Sequence, residues 1–381
     1  MNWGFDGKKE EKKMRKSFIP FFTLCLCLCL LCGCGAAAQL DEELPAAEDK
    51  AGNGLALTQT QAVSTEKYLG QNEFAPFLSR AEKAYLIPGL NEVAIPQGMS
   101  YCGENGLIYI SAYFKADSVP SVIVALDAQS GSFAAEYRLY NSDGSPFSSH
   151  VGGLAAAGDK LYVSAKLDND GSYSVAVIPL DRLPAECSHD VVIESTVALP
   201  VSPSFLNYSG DILWVGNFYH PSADYGLSRG MDFTTETADG EYGCYILGYD
   251  LRGEVLGSGS GTAPVPDYVL AAPDRIQGMV FCDDGTVLLS QSYGRKNNST
   301  LLRYDLDLDQ PDGSVPVGGS QVPVYILDSL VLREAITAMP MTEGLTTGPD
   351  GNVLVLFESG AMAYKDGKFR TDHVWRLRLS Q

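Results

Sequence analysis

Two carboxyl groups and two imidazoles are the side chains of this sequence best placed to do chemistry. Glu343 opens one apolar repeat, and Glu358 follows the second apolar run of the same repeat. His150 lies beside a Gly-Gly pair that permits close backbone approach, and His220 opens a long insertion. An imidazole can act as a base or a metal ligand near neutral pH. Glu343, His150 and His220 are therefore the candidate catalytic residues.

The elements that must position these side chains recur five times along the chain. Each copy has a Gly-Met, Gly-Leu or Phe-Leu opening, a polar turn and an alternating apolar run; the copies span residues 97–112, 152–165, 204–217, 277–291 and 343–357. One such hairpin cannot bury its apolar face alone, so their regular return predicts radially packed sheets. We expect an all-β fold, a β-propeller of five four-stranded blades. A sixth blade would have to lie in residues 218–242, which lack alternation.

The fourth strands complete this pattern. Outer strands are predicted at residues 133–140, 190–199, 253–261 and 322–330, but the chain ends before a fifth. A strand from the N-terminal side, at residues 85–88 or 92–95, is expected to close the ring. A short helix is predicted around residues 72–85 from the spacing of their apolar side chains.

In such a ring, the loops that enter the inner strands share one face with the loops that follow the second strands. Long loops and polar side chains on that face predict a site around the central channel. The predicted ligand-binding residues are Gln97, His150, Asn217, His220, Gln277, Arg295, Glu343 and Glu358. The alternative is structural, since Glu, Gln and His at a channel mouth often only satisfy backbone groups and waters.

Two of the repeats resemble the inner hairpins of gluconolactonase/regucalcin-type and NHL-type propellers. They read Glu343-Gly344-Leu345 with Pro349-Asp350-Gly351-Asn352, and Gln277-Gly278-Met279 with Asp284-Gly285. The resemblance implies a divalent cation, such as Ca²⁺, that is held at Glu343 and polarises a lactone carbonyl. Calcium takes six to eight oxygen ligands with several carboxylates, so one acid with surrounding amides is a poor cage. Glu358 could supply a second carboxylate.

The N-terminal 34 residues differ from the rest of the chain. A basic stretch precedes an apolar run, and Leu31-Cys32-Gly33-Cys34 looks like a bacterial lipobox, in which Cys34 carries the lipid. An uncleaved anchor helix is the alternative. Residues 35–64 are predicted to form a flexible tether, and residues 65–381 the propeller domain. The domain is thus expected on the extracytoplasmic side of the cell membrane.

Composition narrows the class of function. The net charge is −20, which repels phosphate backbones and argues against a nucleic-acid partner. No G-x-S-x-G, H-E-x-x-H or Walker sequence occurs. The first hypothesis is a membrane-anchored lipoprotein whose propeller binds a small ligand or a surface protein without catalysis. The alternative is a divalent-cation-dependent, gluconolactonase-like hydrolase.

Overall fold

The chain folds around five repeated antiparallel hairpins, as the sequence predicts. The computed structural model describes residues 57–165, 173–222, 225–257 and 263–379. The signal segment, Cys34 and the tether up to residue 56 lie outside them. Within the described residues, no helix has both the length and the apolar character needed to cross a bilayer.

The first regular elements of the described chain are short helical turns, and nearly all later elements are strands. Short 3-10 turns at Lys67–Gly70 and Asn72–Phe74 lead into a single helical turn, α1, at Ala75–Leu78. The strands are β1 Ala81–Leu86, β2 Ile95–Cys102, β3 Leu107–Tyr113, β4 Val122–Asp127, β5 Phe133–Tyr140, β6 Leu154–Ala157, β7 Lys160–Ala165, β8 Tyr173–Pro179, β9 His189–Val192, β10 Ser195–Leu199, β11 Phe205–Ser209, β12 Ile212–Gly216, β13 Thr235–Thr237, β14 Gly240–Tyr242, β15 Cys244–Asp250, β16 Tyr268–Ala272, β17 Ile276–Phe281, β18 Val287–Gln291, β19 Ser299–Tyr304, β20 Gly313–Val317, β21 Ser320–Ile326, β22 Leu332–Ala338, β23 Thr342–Thr347, β24 Val353–Phe357 and β25 His373–Leu377. Two further 3-10 turns occupy Leu180–Arg182 and Met362–Tyr364.

These strands form a five-bladed β-propeller. From the inner strand outward, the blades are β2-β3-β4-β5, β6-β7-β8-β10, β11-β12-β15-β16, β17-β18-β19-β22 and β23-β24-β25-β1. In the described part of the chain, five hydrophobic clusters each lie between two neighbouring blades, including the last and the first. Among the described residues of the insertion at 218–242, the named strands are the two of the hairpin β13-β14, so the insertion does not form a sixth blade.

Three outer strands differ from the prediction. The stretch at 190–199 divides into β9, which pairs in parallel with β5 of the first blade, and β10, which is the outer strand of the second blade. In the predicted strand at 253–261, residues 253–257 form turns and residues 258–261 lie outside the described residues, and β16 is the outer strand of the third blade. The apolar stretch at 322–330 largely forms β21, which pairs in parallel with β16, so that β22 completes the fourth blade. The stretch at 322–330 alternates like a strand, and the stretch at 253–261 carries several glycines. Local sequence pattern does not say which blade a strand joins.

The ring closes through the N-terminal segment. Strand β1 pairs antiparallel with β25 as the outer strand of the fifth blade, which confirms that an N-terminal strand closes the ring. The strand begins at Ala81 and includes only the first two residues of the predicted stretch at 85–88, and the alternative at 92–95 does not form it. The predicted helix at 72–85 is wrong beyond Leu78, because Ala81 already starts this strand. Behind the strand, Phe77 is fully buried and packs on Trp375, with ring centroids 5.6 Å apart.

Residues 57–64 also lie against the propeller, although the sequence places them in the tether. Leu57 is buried, and its backbone N–H donates to the Glu136 carboxylate at 3.1 Å. The backbone N–H groups of Ala62 and Val63 both donate to Asp372 Oδ2 at 3.0 Å. The boundary predicted at residue 64 therefore falls inside an ordered contact.

The aromatic packing behind β1 should carry much of the stability of the closure. Phe77→Ala removes a fully buried ring and should lower the free energy of unfolding by about 3–5 kcal/mol. Leu69→Ala, in the same segment but 58% exposed, should change it by less than about 0.5 kcal/mol. Urea unfolding of both variants measures the difference. Equal effects would mean that the segment does not contribute to the closure.

Candidate functional site

A cavity of about 1250 Å³ opens at the face predicted to carry the site. Five residues at the entry of the five inner strands contribute to its lining, one from each blade: Gln97, Gly152, Ser204, Gln277 and Glu343. Loops that follow the second strands add Glu358, Tyr293 and Arg295. His150 lines the wall between the first and second blades.

The fifth blade supplies a pair of carboxyl groups to this cavity. Glu343 is the second residue of β23 and is only 3% exposed. Glu358 directly follows β24, and its backbone N–H donates to the Met341 carbonyl at 3.1 Å. The fourth blade has the same backbone hydrogen bond, from Ser292 to Arg275, but presents Ser292 in place of the second acid. The pair is thus a feature of one blade.

The two carboxyl groups are both buried, and each affects the pKa of the other. The pKa of Glu343 lies well above its usual range, because burial penalises its charged form and the Glu358 carboxylate adds repulsion and accepts its hydrogen bond. Burial also raises the pKa of Glu358 to about 7, although hydrogen bonds from Gln97 and Glu343 act in the opposite direction. Gln97 Nε2 donates to Glu358 Oε2 at 2.7 Å. Glu358, with a pKa of about 7, is therefore about half ionised at pH 7, beside a Glu343 carboxyl whose pKa is also raised.

Aromatic side chains form much of the wall. The ring of Tyr113 lies 4.1 Å from that of His150, and its hydroxyl lies 3.0 Å from the Tyr364 hydroxyl. Burial raises the pKa of Tyr113 to about 12, so this phenol stays neutral. His150 is exposed to the cavity, but the surrounding protein lowers the pKa of its imidazole by desolvation. His150 is therefore mostly neutral at neutral pH.

Two predicted ligand-binding residues do not line the cavity. Asn217 is buried within the third blade, where its amide accepts from Tyr245 N at 2.6 Å and donates to the Gly243 carbonyl. His220 stands behind the wall, with its ring 4.5 Å from that of Tyr293. The six remaining predicted residues, Gln97, His150, Gln277, Arg295, Glu343 and Glu358, all line the cavity.

The prediction from the sequence missed part of the aromatic wall. Tyr225, Phe218 and Tyr364 also line the cavity. Tyr225 and Phe218 belong to the long insertion that the sequence places on this face, and Tyr364 lies in the same loop as Glu358. Loop length was the available signal for all three, but it does not say which side chains point inward.

A divalent cation does not fit the donors at Glu343. Among the described residues, no three His, Cys, Asp or Glu side chains lie close enough together to hold a metal ion. The predicted grouping of His150, His220 and Glu343 is not formed as a ligand set. Besides Glu343 and Glu358, whose raised pKa values disfavour two charged carboxylates, a cation would find only amide ligands such as Gln97. This set has too few charged oxygens for calcium.

Comparison with known proteins gives structural similarities alone. No protein-family model matches the chain, and no curated protein matches it. A protein from Thermus thermophilus assigned as an oxidoreductase of the glucose dehydrogenase type has a TM-score of 0.41 and 15% identity, over 78% of this chain and 99% of that chain. The PQQ-bound aldose sugar dehydrogenase of Streptomyces coelicolor has a TM-score of 0.40 and 13% identity, over 78% and 96%. A protein assigned as a gluconolactonase has a TM-score of 0.32 and 13% identity, over 81% and 96%. At these values the activity has to be argued from the site itself.

The carboxyl pair should make stability fall as pH rises. Carboxyl groups with raised pKa bind more protons in the folded than in the unfolded state, so stability is lost from about pH 4.5 upward through the folded pKa values. Glu343→Gln replaces the neutral acid by a neutral amide and should raise the free energy of unfolding at pH 8 by about 1–3 kcal/mol, since one pKa unit corresponds to about 1.4 kcal/mol.

Urea unfolding at pH 5 and pH 8 measures this effect. The stability of the Glu343→Gln variant should decline less between the two values than that of the parent protein. Glu186→Gln, at an exposed site outside the cavity, is the matched control and should leave the decline as it is. If the stability of all three proteins declined equally between pH 5 and pH 8, the raised pKa values of the carboxyl pair would be contradicted.

Proposed function

We propose that this protein is a membrane-anchored, extracytoplasmic lipoprotein whose propeller binds a small organic ligand in the central cavity. One observation carries the binding function: a cavity of about 1250 Å³ combines a buried carboxyl pair with an aromatic wall. Small-molecule sites of this kind are concave and largely apolar, with a few polar groups that fix the ligand's orientation. A hydrolase that depends on a divalent cation has less support, because the donors at Glu343 do not fit such a cation.

A small ligand suits this cavity better than a protein partner does. Its carboxyl pair lies at the floor, where Glu343 is only 3% exposed. A flat protein surface would meet the rim and would leave this floor untouched, whereas a small molecule can enter and hydrogen-bond to it. The aromatic side chains Tyr225 and Tyr293, which are 51% and 38% exposed, would gain a partner on their open faces.

Blocking the cavity tests the binding function. Gly226 lines the cavity, and a Cβ at this position would have no atom within 4 Å, so Gly226→Trp should fill the space without disturbing the fold. Gly70→Trp is the matched control, because Gly70 has equally open space and does not line the cavity. In a thermal-shift screen of sugars, amines, amino acids and carboxylic acids, compounds that shift the parent and Gly70→Trp should not shift Gly226→Trp. Shifts that persist in Gly226→Trp would place binding elsewhere.

The anchoring proposal rests on the N-terminal sequence, in which a basic stretch and an apolar run precede Leu31-Cys32-Gly33-Cys34. If Cys34 carries the lipid, Cys34→Ala should leave the membrane fraction or accumulate with its signal uncleaved. Cys32→Ala, which changes the other cysteine of the same motif, is the matched control and should be processed normally. Cell fractionation with mass analysis of the mature N-terminus measures the location and processing of both variants. A Cys34→Ala variant that remains membrane-bound at the mature mass would exclude lipidation at this residue.

A further inference from the structure

The floor of the cavity carries a negative charge without a counter-ion in contact. Among the salt bridges of the described residues, none involves Glu343 or Glu358. Their polar contacts are with each other and with Gln97. A buried carboxylate without a cationic partner is costly, and a retained proton reduces that cost. A cation brought by the ligand would lower it further.

The wall above this floor is built for contact with a cation. Phe218, Tyr225 and Tyr293 form a continuous aromatic group, in which the Phe218 ring lies 5.0 Å from Tyr225 and 6.2 Å from Tyr293. Aromatic faces attract cations within about 6 Å of the ring centroid. The Tyr364 ring already does so in this cavity, with the Arg295 guanidinium 4.6 Å and the Lys115 ammonium 5.0 Å from its centroid.

The charged side chains around the carboxyl pair, Arg295 and Lys115, leave room for a ligand cation to contact it. Arg295 makes two hydrogen bonds to Asp366, at 2.9 and 3.0 Å, so its guanidinium is engaged outside the carboxyl pair. Lys115 is exposed and shares the rim with Asp117. The neighbouring phenols of Tyr113 and Tyr364 have raised pKa values and are neutral, chiefly because they are buried. Arg295 and Lys115 act on Glu358 through space and lower its pKa, but among the described residues neither forms an ion pair with Glu358 or Glu343. The carboxyl pair therefore still lacks a cation in direct contact.

We propose that the cavity binds a small organic cation, an amine or quaternary ammonium compound, whose charge lies against Glu358 and Glu343 and whose carbon groups pack on the aromatic wall. This inference rests on the proposed function, since it names the ligand class of the same cavity. The cation needs Glu358 ionised. Its affinity therefore rises by up to about tenfold per pH unit below about pH 7 and levels off above, where Glu358 is already charged.

Calorimetric titration of the purified full-length protein at pH 8 tests the proposal with matched probes. The cations are choline, tetramethylammonium and putrescine. The neutral probes are 3,3-dimethyl-1-butanol, which has the shape of choline without its charge, and glucose. At least one cation should bind at least tenfold more tightly than both neutral compounds. Equal or tighter binding of the neutral alcohol would overturn the assignment of a cation.

Variants connect the binding to the named residues. Glu358→Gln should weaken cation binding at least tenfold, whereas Glu186→Gln, an exposed acid outside the cavity, should not. Should Glu358→Gln fail to fold, Tyr225→Ala replaces it, because this ring is 51% exposed and its removal should weaken binding severalfold. His150→Asn should keep the pH dependence, which separates His150 from Glu358 as the titrating group. Full affinity in Glu358→Gln or in Tyr225→Ala would contradict the proposal.

The outcomes separate this inference from the proposed function. Neutral compounds that bind the parent at least as tightly as the cations, and that do not bind Gly226→Trp, would confirm the binding cavity and refute the cation. Cations that bind equally well to Gly226→Trp would place a cation site outside the cavity and refute the inference. No binding by any compound of the broad thermal-shift screen would overturn both.

Discussion

The close approach of the five inner strands around the central axis governs this structure. Gly98, Gly278 and Gly344 stand where neighbouring blades meet, and a Cβ at each would lie 2.7–2.8 Å from a backbone atom of the next blade. Only glycine allows such contact. The strand ladders are irregular at the same positions, since the register shifts between Pro96 and Met99, between Ile276 and Gly278 and between Thr342 and Leu345. Such irregularities redirect side chains, and Gln97, Gln277 and Glu343, each next to one of these glycines, line the cavity.

Serine side chains of the second strands stabilise this close approach of the inner strands by hydrogen bonds. Ser111 Oγ accepts from Gly98 N at 3.0 Å and donates to the Val151 carbonyl of the next blade at 2.7 Å. Ser290 Oγ makes the corresponding bond to the Glu343 carbonyl at 2.7 Å. These hydroxyls thus satisfy backbone groups at the point where the strands converge. The floor of the cavity is fixed by these bonds, which holds Glu343 at a defined depth.

The sequence predicted what depends on local pattern and missed what depends on distant partners. The five inner hairpins and the closing strand follow from alternation, polar turns and the absence of a fifth outer strand. Whether residues 322–330 belong to the third or the fourth blade depends on long-range pairing, and there the prediction was wrong. Glu343 and Gln97 were found because repeated positions share an orientation. Asn217 was misplaced because nothing in its neighbourhood signals that Tyr245 N occupies its amide.

The raised pKa values of the carboxyl pair could not be predicted from the sequence, because they depend on the burial of two acids that are 15 positions apart. The position of these acids in the ring links their burial to ring closure. Both belong to the fifth blade, which takes its outer strand from the opposite end of the chain and packs Tyr68 and Phe77 against Trp375. Burying a carboxyl pair destabilises the blade on which closure depends, and the aromatic packing opposes that effect. A ligand that relieves the pair therefore stabilises the closed ring as well, so occupancy of the cavity and integrity of the fold are linked through one blade.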